Sequence, residues 1–455
     1  MRREALNYVL DWLKEKERKP LILRGARQVG KTWLAREAAR VSGRKLIEFN
    51  FEKQPALANL FSSHDPHAIL LNLESHFNQS IDPEKTVLFL DEIQAHPPLL
   101  AKLRWFYEEL PILPVICAGS LLEFVLADHE FSMPVGRITY LHIEPLSFEE
   151  FLHASGQEKL HELITRMTYP DETPLVIHEK LLELFKEYLL VGGMPAAVVS
   201  WVENRSFIRA NRIQHDLLAT YRDDFSKYAG KISRERLDEV LVSTPRMLGE
   251  KFVYSQVNKD VQIASIKQAL TLLIQAKLVS PVHCTSANGL PLMSEIRERE
   301  RKMIFIDVGL ANALLDLKLT SLTNMTLANQ GGISEQVVGQ LLRTLAPYYV
   351  EPHLFYWSRE EKGSSAEVDY VIAHEGDIIP IEVKSGSTGS LKSLHSYMAL
   401  KKKSLAVRIN SEPATRTSVQ VKIHSGESVE YRLLSIPFYL TGQLNRLLAL
   451  QRSLS

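Results

Sequence analysis

One eight-residue run constrains the fold of this chain more than any other: Gly25, Ala26, Arg27, Gln28, Val29, Gly30, Lys31 and Thr32. It fits the pattern G-x-x-x-x-G-K-[ST], in which backbone N–H groups of a glycine-bearing loop surround phosphate groups. The apolar residues 20–24 before it predict a buried strand, and residues 33–40 after it predict a helix. A strand, such a loop and a helix N-terminus together form an anion site. The run therefore predicts an α/β fold that binds a nucleotide.

The last two residues of this loop have separate predicted roles. The ammonium of Lys31 would reach the β- and γ-phosphates of ATP, and the hydroxyl of Thr32 would bind Mg²⁺. All eight loop residues are candidates for nucleotide contact.

A second strand end supplies the acidic side chains that hydrolysis requires. Residues 87–90 are all apolar, which is typical of a strand buried on both faces in a parallel sheet. Asp91 and Glu92 follow at the strand end. We expect Asp91 to hold Mg²⁺ and Glu92 to act as general base on the attacking water. The alternative is an ordinary acidic pair at the end of a strand.

Two further polar residues lie at the ends of predicted strands. Ser120 comes after the strand predicted at residues 111–118, where it could sense the γ-phosphate or simply cap the next helix. Arg137 precedes the strand predicted at residues 138–142. It could stabilise transition-state charge in its own subunit or in a neighbouring one, or lie solvated at the surface.

These motifs together resemble a group of prokaryotic AAA+ ATPases whose C-terminal domain has no known function. The resemblance rests on the phosphate loop, Leu-Asp-Glu at residues 90–92, Ala-Gly-Ser at 118–120, Gly-Arg at 136–137, and the runs at 144–151, 188–195 and 305–310. It spans nearly the whole chain. It implies a helical lid over the nucleotide, and it allows a ring-shaped homo-oligomer in which Arg137 acts across subunits.

Composition limits the classes of function that remain. The chain has 455 residues, enough for two to four domains, and 54 basic residues balance 54 acidic ones. Any contact with DNA must therefore come from local basic patches. Cys117 and Cys284 lie in or beside apolar runs, which favours small core residues over a disulfide. With neither a leader-like N-terminus nor an 18-residue apolar run, we expect a cytoplasmic protein without membrane contact.

The predicted architecture has four parts: an AAA+ P-loop core (1–145), a helical lid (146–230), a winged helix (231–303) and a nuclease-like α/β domain (304–455). In the third part, helices predicted at residues 234–242, 252–257 and 261–274 precede a strand at 277–282 and a turn at 286–289. As a DNA reader, it would place Gln262, Ser265 and Lys267 in the major groove. A basic cluster follows at Arg297, Arg299, Arg301 and Lys302, diluted by the acidic residues Glu295, Glu298 and Glu300. The alternative is a winged helix that only packs against protein.

The C-terminal part carries a second candidate active site. A helix is predicted at residues 333–342 and strands at 354–358, 366–373 and 377–384. Because side chains alternate along a strand, a hairpin would let Asp369, Glu382 and Lys384 converge. Asp369 and Glu382, joined by Glu335, could hold one Mg²⁺ ion, and Lys384 could orient or help deprotonate a water that attacks a phosphodiester. The set resembles the PD-(D/E)xK (restriction-endonuclease-like) nuclease superfamily, with Val368 replacing its usual proline. The alternative is alternating charge on an amphipathic strand.

Three functions fit these observations. The first is an ATP-driven enzyme that grips and cuts DNA; branched DNA is suggested only by analogy with superfamily members that resolve junctions. The second is a nucleotide-gated switch that binds DNA or protein without cleavage. The third is a defence effector whose nuclease stays off until it is triggered.

Overall fold

The structure is a computed structural model that describes residues 2–120, 122–127, 134, 136–168, 173–228, 232–317, 331–361, 364–385, 390–423 and 426–453. The chain divides into two compact units. The first unit comprises Met1–Glu144, Gln275–Lys277 and Pro347–Glu351, and the second comprises the remainder.

The first unit contains a five-stranded parallel sheet. Its strands are β1 (Leu21–Arg24), β2 (Lys45–Asn50), β3 (Thr86–Asp91), β4 (Val115–Ala118) and β5 (Thr139–His142), in the order β2-β3-β4-β1-β5. Its helices are α1 (Ala5–Trp12), α2 (Lys31–Val41), α3 (Pro66–Phe77), α4 (Pro98–Glu109) and α5 (Leu122–Ala127).

The residues that follow three strands of this sheet lie close together. All residues of β3 and β4 are buried, as expected for strands covered on both faces. Because the strands run parallel, the residues that follow β1, β3 and β4 emerge at one edge of the sheet, where ligands bind in open α/β sheets. The predicted parallel P-loop sheet is confirmed.

The second unit begins with helices. They are α6 (Phe148–Ala154), α7 (Glu158–Arg166), α8 (Leu175–Val191), α9 (Pro195–Asn204), α10 (Phe207–Tyr228), α11 (Arg234–Arg246), α12 (Tyr254–Val257), α13 (Ile263–Gln275), α14 (Val308–Leu314), α15 (Gly331–Arg343), α16 (Lys392–Lys401) and α17 (Leu444–Ser453). Among the described residues, none of the helices has both the length and the apolar character that a membrane crossing requires.

The second unit also contains one mixed eight-stranded sheet. Its strands are β6 (Val279–Thr285), β7 (Ile296–Phe305), β8 (Leu354–Glu361), β9 (Ser364–His374), β10 (Asp377–Val383), β11 (Leu405–Asn410), β12 (Thr415–Lys422) and β13 (Ser428–Pro437). The order is β12-β13-β11-β10-β9-β8-β6-β7. The strands β6 and β7, predicted as the wing of a winged helix, form the edge of this sheet, because β6 pairs with β8. The winged helix and the four-part division stay predictions.

A buried aspartate joins three distant segments of the second unit. One oxygen of Asp307 accepts the backbone N–H of Gly193 at 2.6 Å, and the other accepts that of Leu310 at 3.1 Å. The side-chain amide of Gln340 also donates to Asp307 at 3.1 Å. A side chain at Gly192 would collide with Asp307, since an added Cβ would lie 2.1 Å from its carboxylate. The glycines that end α8 thus make room for this carboxylate.

Asp307→Ala is expected to destabilise the second unit by roughly 3 kcal/mol, because each buried donor left without a partner costs about 1–3 kcal/mol. Urea unfolding followed by circular dichroism measures the change. Asp260→Ala, at an exposed loop position, is the control and should stay within about 0.5 kcal/mol of the parent. Equal unfolding midpoints for the two variants would contradict a structural role for Asp307.

Candidate functional site

The phosphate loop and the adjacent strand ends enclose a cavity of about 230 Å³ in the first unit. Nine residues line it: Arg27, Gln28, Gly30, Lys31, Thr32, Trp33, Asp91, Glu92 and Ser120. The predicted nucleotide residues Gly25, Ala26 and Val29 belong to the same loop but do not line the cavity. The structure thus brings the loop, the acidic pair and Ser120 to one place.

The loop backbone explains why glycine stands at two of its positions. Gly25 has φ +135°, and a Cβ there would lie 2.3 Å from the carbonyl oxygen of Ile143. Gly30, at the start of α2, has φ +99°, a conformation that favours glycine. The loop thereby turns its backbone toward the cavity at the N-terminus of α2, where the helix dipole favours anions.

Lys31 lies inside this loop. Its Nζ donates to the carbonyl oxygens of Gly25 at 2.8 Å and Ala26 at 2.7 Å. The side chain is buried, and burial lowers the pKa of Lys31 to about 8. A buried ammonium interacts strongly with an anion that enters the cavity, since little water screens the charge.

Thr32 and Asp91 form the part of the cavity that fits a metal ion. The hydroxyl of Thr32 donates to Oδ2 of Asp91 at 3.2 Å, so a hydroxyl oxygen and a carboxylate oxygen lie side by side. Burial, and then the charge of Glu92, raise the pKa of Asp91 to about 6. A buried carboxylate with such a pKa is stabilised by a nearby cation, and oxygen ligands suit Mg²⁺. These two residues would hold the ion together with the phosphates of ATP.

Glu92 is held by three hydrogen bonds. Its Oε2 accepts the side-chain amide of Gln94 at 2.6 Å, the backbone N–H of Ser120 at 2.9 Å and the Ser120 hydroxyl at 3.0 Å. Burial opposes ionisation of Glu92, but these bonds prevail and lower its pKa. The predicted γ-phosphate sensor Ser120 therefore contacts the predicted base. Gln94 was not predicted from the sequence. Its side chain fills the space beside Gly119, where a Cβ would lie 1.9 Å from Gln94 Oε1.

Arg137 lies apart from this cavity. Its Nε pairs with Glu108 Oε1 at 2.7 Å, its side chain is 42% exposed, and it does not line the cavity. Its action across a ring of subunits stays a prediction. The first unit also contains an ion pair that the sequence analysis missed: Arg24, the last residue of β1, donates to Glu123.

The second candidate site lies on β9, β10 and α15 in the second unit. The strands β9 and β10 pair antiparallel, as a hairpin requires. Asp369 Oδ2 accepts the backbone N–H of Val383 at 2.7 Å, and Lys384 Nζ pairs with Glu382 Oε1 at 2.6 Å. The other oxygen of Glu382 is buried and has no hydrogen-bond partner within the described ranges. Burial, and then the charge of Asp369, raise the pKa of both Glu335 and Glu382 above ordinary values.

Lys302 is the unexpected member of this site. Its Nζ pairs with Glu335 Oε2 at 2.9 Å and with Glu367 Oε1 at 2.6 Å, and the residue is only 3% exposed. Lys302 was predicted to belong to one basic cluster with Arg297, Arg299 and Arg301. That grouping is wrong for Lys302, because its side chain is buried against carboxylates.

The carboxylates predicted to bind Mg²⁺ at the second site have a buried lysine among them. Within the described residues, no three His, Cys, Asp or Glu side chains are arranged to hold a metal. Glu335 binds Lys302, and Mg²⁺ binding by Glu335, Asp369 and Glu382 stays a prediction.

Comparison with known families accounts for the first site. Residues 17–152 match a family model described as AAA domain. This N-terminal segment is similar to AAA domains. The matched segment contains the phosphate loop, Asp91, Glu92 and Ser120, and the match supports an ATPase. Residues 182–321 and 330–425 match two models described as Domain of unknown function (DUF8612) and Domain of unknown function (DUF4143). A search of curated proteins found no match.

Several solved structures share a distant likeness with this chain. The Walker-type ATPase PABY2304 of Pyrococcus abyssi is 17% identical, with a TM-score of 0.43 over 69% of this chain and 95% of that one. The Aeropyrum pernix ORC1 protein in complex with DNA is 13% identical, with a TM-score of 0.29 over 70% and 93%. The Thermotoga maritima RuvB Holliday junction branch migration motor is 15% identical, with a TM-score of 0.28 over 61% and 87%. Similarity this low carries no argument about the function of this chain.

Proposed function

We propose that this chain binds and hydrolyses ATP and that its nucleotide state controls how the second unit engages DNA. The observation that carries the first half is the convergence of Lys31, Thr32, Asp91 and Glu92 on one cavity. Lys31 binds the phosphates, and Thr32 and Asp91 hold Mg²⁺, which when bound neutralises charge on the β- and γ-phosphates.

Glu92 has the properties of the general base in this proposal. Its low pKa keeps it ionised near neutral pH, so it can orient a water molecule and accept its proton. Its Oε2 is engaged by Ser120 and Gln94, so Glu92 must exchange at least one of these hydrogen bonds for the water. Ser120 and Gln94 thus act as positioning residues for Glu92.

A basic surface of the second unit supports the proposed contact with DNA. Lys401, at the end of α16, donates to Asn288 Oδ1 at 2.6 Å, which joins the turn before β7 to the basic run 401–403. Burial lowers the pKa of Lys401; the charge of Glu295 opposes this shift, and the positive charge of Arg297 adds to it. Arg299 and Lys402 are exposed. Clustered lysine and arginine side chains bind phosphates without reading sequence.

The double substitution Arg297→Gln and Lys401→Gln is expected to weaken DNA binding and to reduce the slope of log K against log salt concentration by about 2, one for each lost phosphate contact. Fluorescence anisotropy with labelled duplex and four-way DNA, at several salt concentrations and with or without ATP and Mg²⁺, measures both quantities. The control Lys159→Gln with Lys180→Gln removes the same charge from two exposed positions elsewhere in the unit.

This experiment tests whether the basic surface of the second unit binds DNA and whether the second unit cleaves it. Equal DNA affinity for the parent and both double variants would contradict the basic surface as the DNA contact.

The same samples, analysed for strand breaks, test cleavage. We favour binding without cleavage, because Glu335 binds Lys302. Mg²⁺-dependent strand breaks that disappear in Asp369→Ala and in Lys384→Ala, while ATP hydrolysis persists, would support a nuclease activity of the second unit. That activity would suit either an enzyme that cuts branched DNA or a defence effector that is triggered.

A further inference from the structure

Four carboxylates and two ammonium groups meet beneath α15. The carboxylates are Glu335, Glu367, Asp369 and Glu382, here called the acidic cluster, and the cations are Lys302 and Lys384. Carboxylates this close repel one another, and buried ones require a cation or a proton. The identity of that cation decides what chemistry the cluster can perform.

Both the backbone and the side-chain ammonium of Lys302 are held in place by neighbouring groups. Its backbone lies in β7, where it pairs with Val282 of β6. Its Nζ lies 5.3 Å from the centre of the Tyr356 ring, in addition to its two ion pairs. A lysine is almost never fully buried without partners, because removing an ammonium from water costs several kcal/mol. The carboxylates Glu335 and Glu367 therefore account for the burial of Lys302.

We propose that Lys302 is the built-in cation of the acidic cluster and that it excludes a divalent metal ion from it. Lys302 lies on β7, in the same sheet as Glu367, and its Nζ pairs with carboxylate oxygens of Glu335 and Glu367. A divalent ion would have to displace this tethered ammonium, and Mg²⁺ also gives up its own water reluctantly. This inference does not depend on ATP hydrolysis or on DNA binding, so it can fail while the proposed function stands.

Binding of Mn²⁺ to the full-length, nucleotide-free protein tests the proposal. Free Mn²⁺ is measured by electron paramagnetic resonance, and every sample carries Asp91→Asn so that the phosphate-loop site does not contribute. The decisive variant is K302M with E367Q, which removes both partners of one ion pair and leaves the net charge unchanged. It keeps Glu335, Asp369 and Glu382 as metal ligands.

A matched control removes a similar ion pair from the same unit. Lys251 pairs with Glu360, and K251M with E360Q again leaves the net charge unchanged. Lys251 lies opposite Lys302 in an isolated bridge between their backbones, so both substitutions fall in one region. The expected result is one Mn²⁺ bound by the K302M and E367Q protein, at least 10-fold more tightly than by the parent or the control. Adding D369N should abolish that binding.

Two results would overturn the proposal. One is a folded K302M and E367Q protein, shown by its circular dichroism, that binds Mn²⁺ no better than the parent. The other is a parent protein that already binds one Mn²⁺ and loses it on D369N substitution. The second comparison uses the unaltered Lys302, so the proposal remains testable even where the double variant does not fold.

Discussion

Glu92→Gln is expected to bind ATP as the parent does and to hydrolyse it about 10²–10⁴-fold more slowly, the range that general bases contribute. Glutamine has nearly the same shape and can still accept a hydrogen bond from Ser120 through its carbonyl oxygen. It cannot accept a proton from water, because an amide is not basic near neutral pH. Phosphate release measures turnover, and a fluorescent ATP analogue measures binding.

The structure supplies the control for this substitution. Glu84 is exposed in the same unit, so Glu84→Gln makes the same chemical change away from the cavity and should leave both quantities unaltered. A Glu92→Gln protein that turns over at the rate of the parent would show that Glu92 is not the base. Weak ATP binding by this variant would instead mean that Glu92 acts in holding the nucleotide.

The residues that meet at the first cavity could be predicted from the sequence because their signals are local. A phosphate loop needs a strand before it and a helix after it, and both lie within 20 residues of Lys31. The apolar run of β3 and the acidic pair at its end are likewise contiguous. Parallel pairing then brings these strand ends to one edge of the sheet, so the adjacency of Thr32 and Asp91 follows from topology alone.

The second site could be predicted only in part, because its defining contact joins segments that are distant in sequence. Lys302 and Glu335 are separated by 33 residues and meet through the packing of α15 on β7. In sequence, Lys302 ends a run of alternating acidic and basic residues that looks uniformly exposed. Its burial follows from the pairing of β6 with β8, and strand order of this kind leaves no local signal.

Lys31→Ala is expected to weaken ATP binding by at least about 100-fold, which corresponds to about 2.7 kcal/mol. The reason is that Lys31 contributes a buried positive charge at the phosphate loop, and hydrogen bonds from a charged group contribute about 1.5–3 kcal/mol each. Isothermal titration calorimetry measures the dissociation constant. The control Lys45→Ala removes an exposed lysine at the start of β2 and should bind ATP as the parent does.

Thermal unfolding gives a second readout of the Lys31→Ala substitution and separates lost binding from lost folding. ATP at 100 times its dissociation constant stabilises the parent by about 2.7 kcal/mol, and at the same concentration a variant with 100-fold weaker binding gains only about 0.4 kcal/mol. The melting temperature of Lys31→Ala without ATP should remain close to that of the parent or rise, because removing a buried ammonium removes its desolvation cost. A variant that melts normally and is stabilised by ATP as much as the parent would refute the role of Lys31 in phosphate binding.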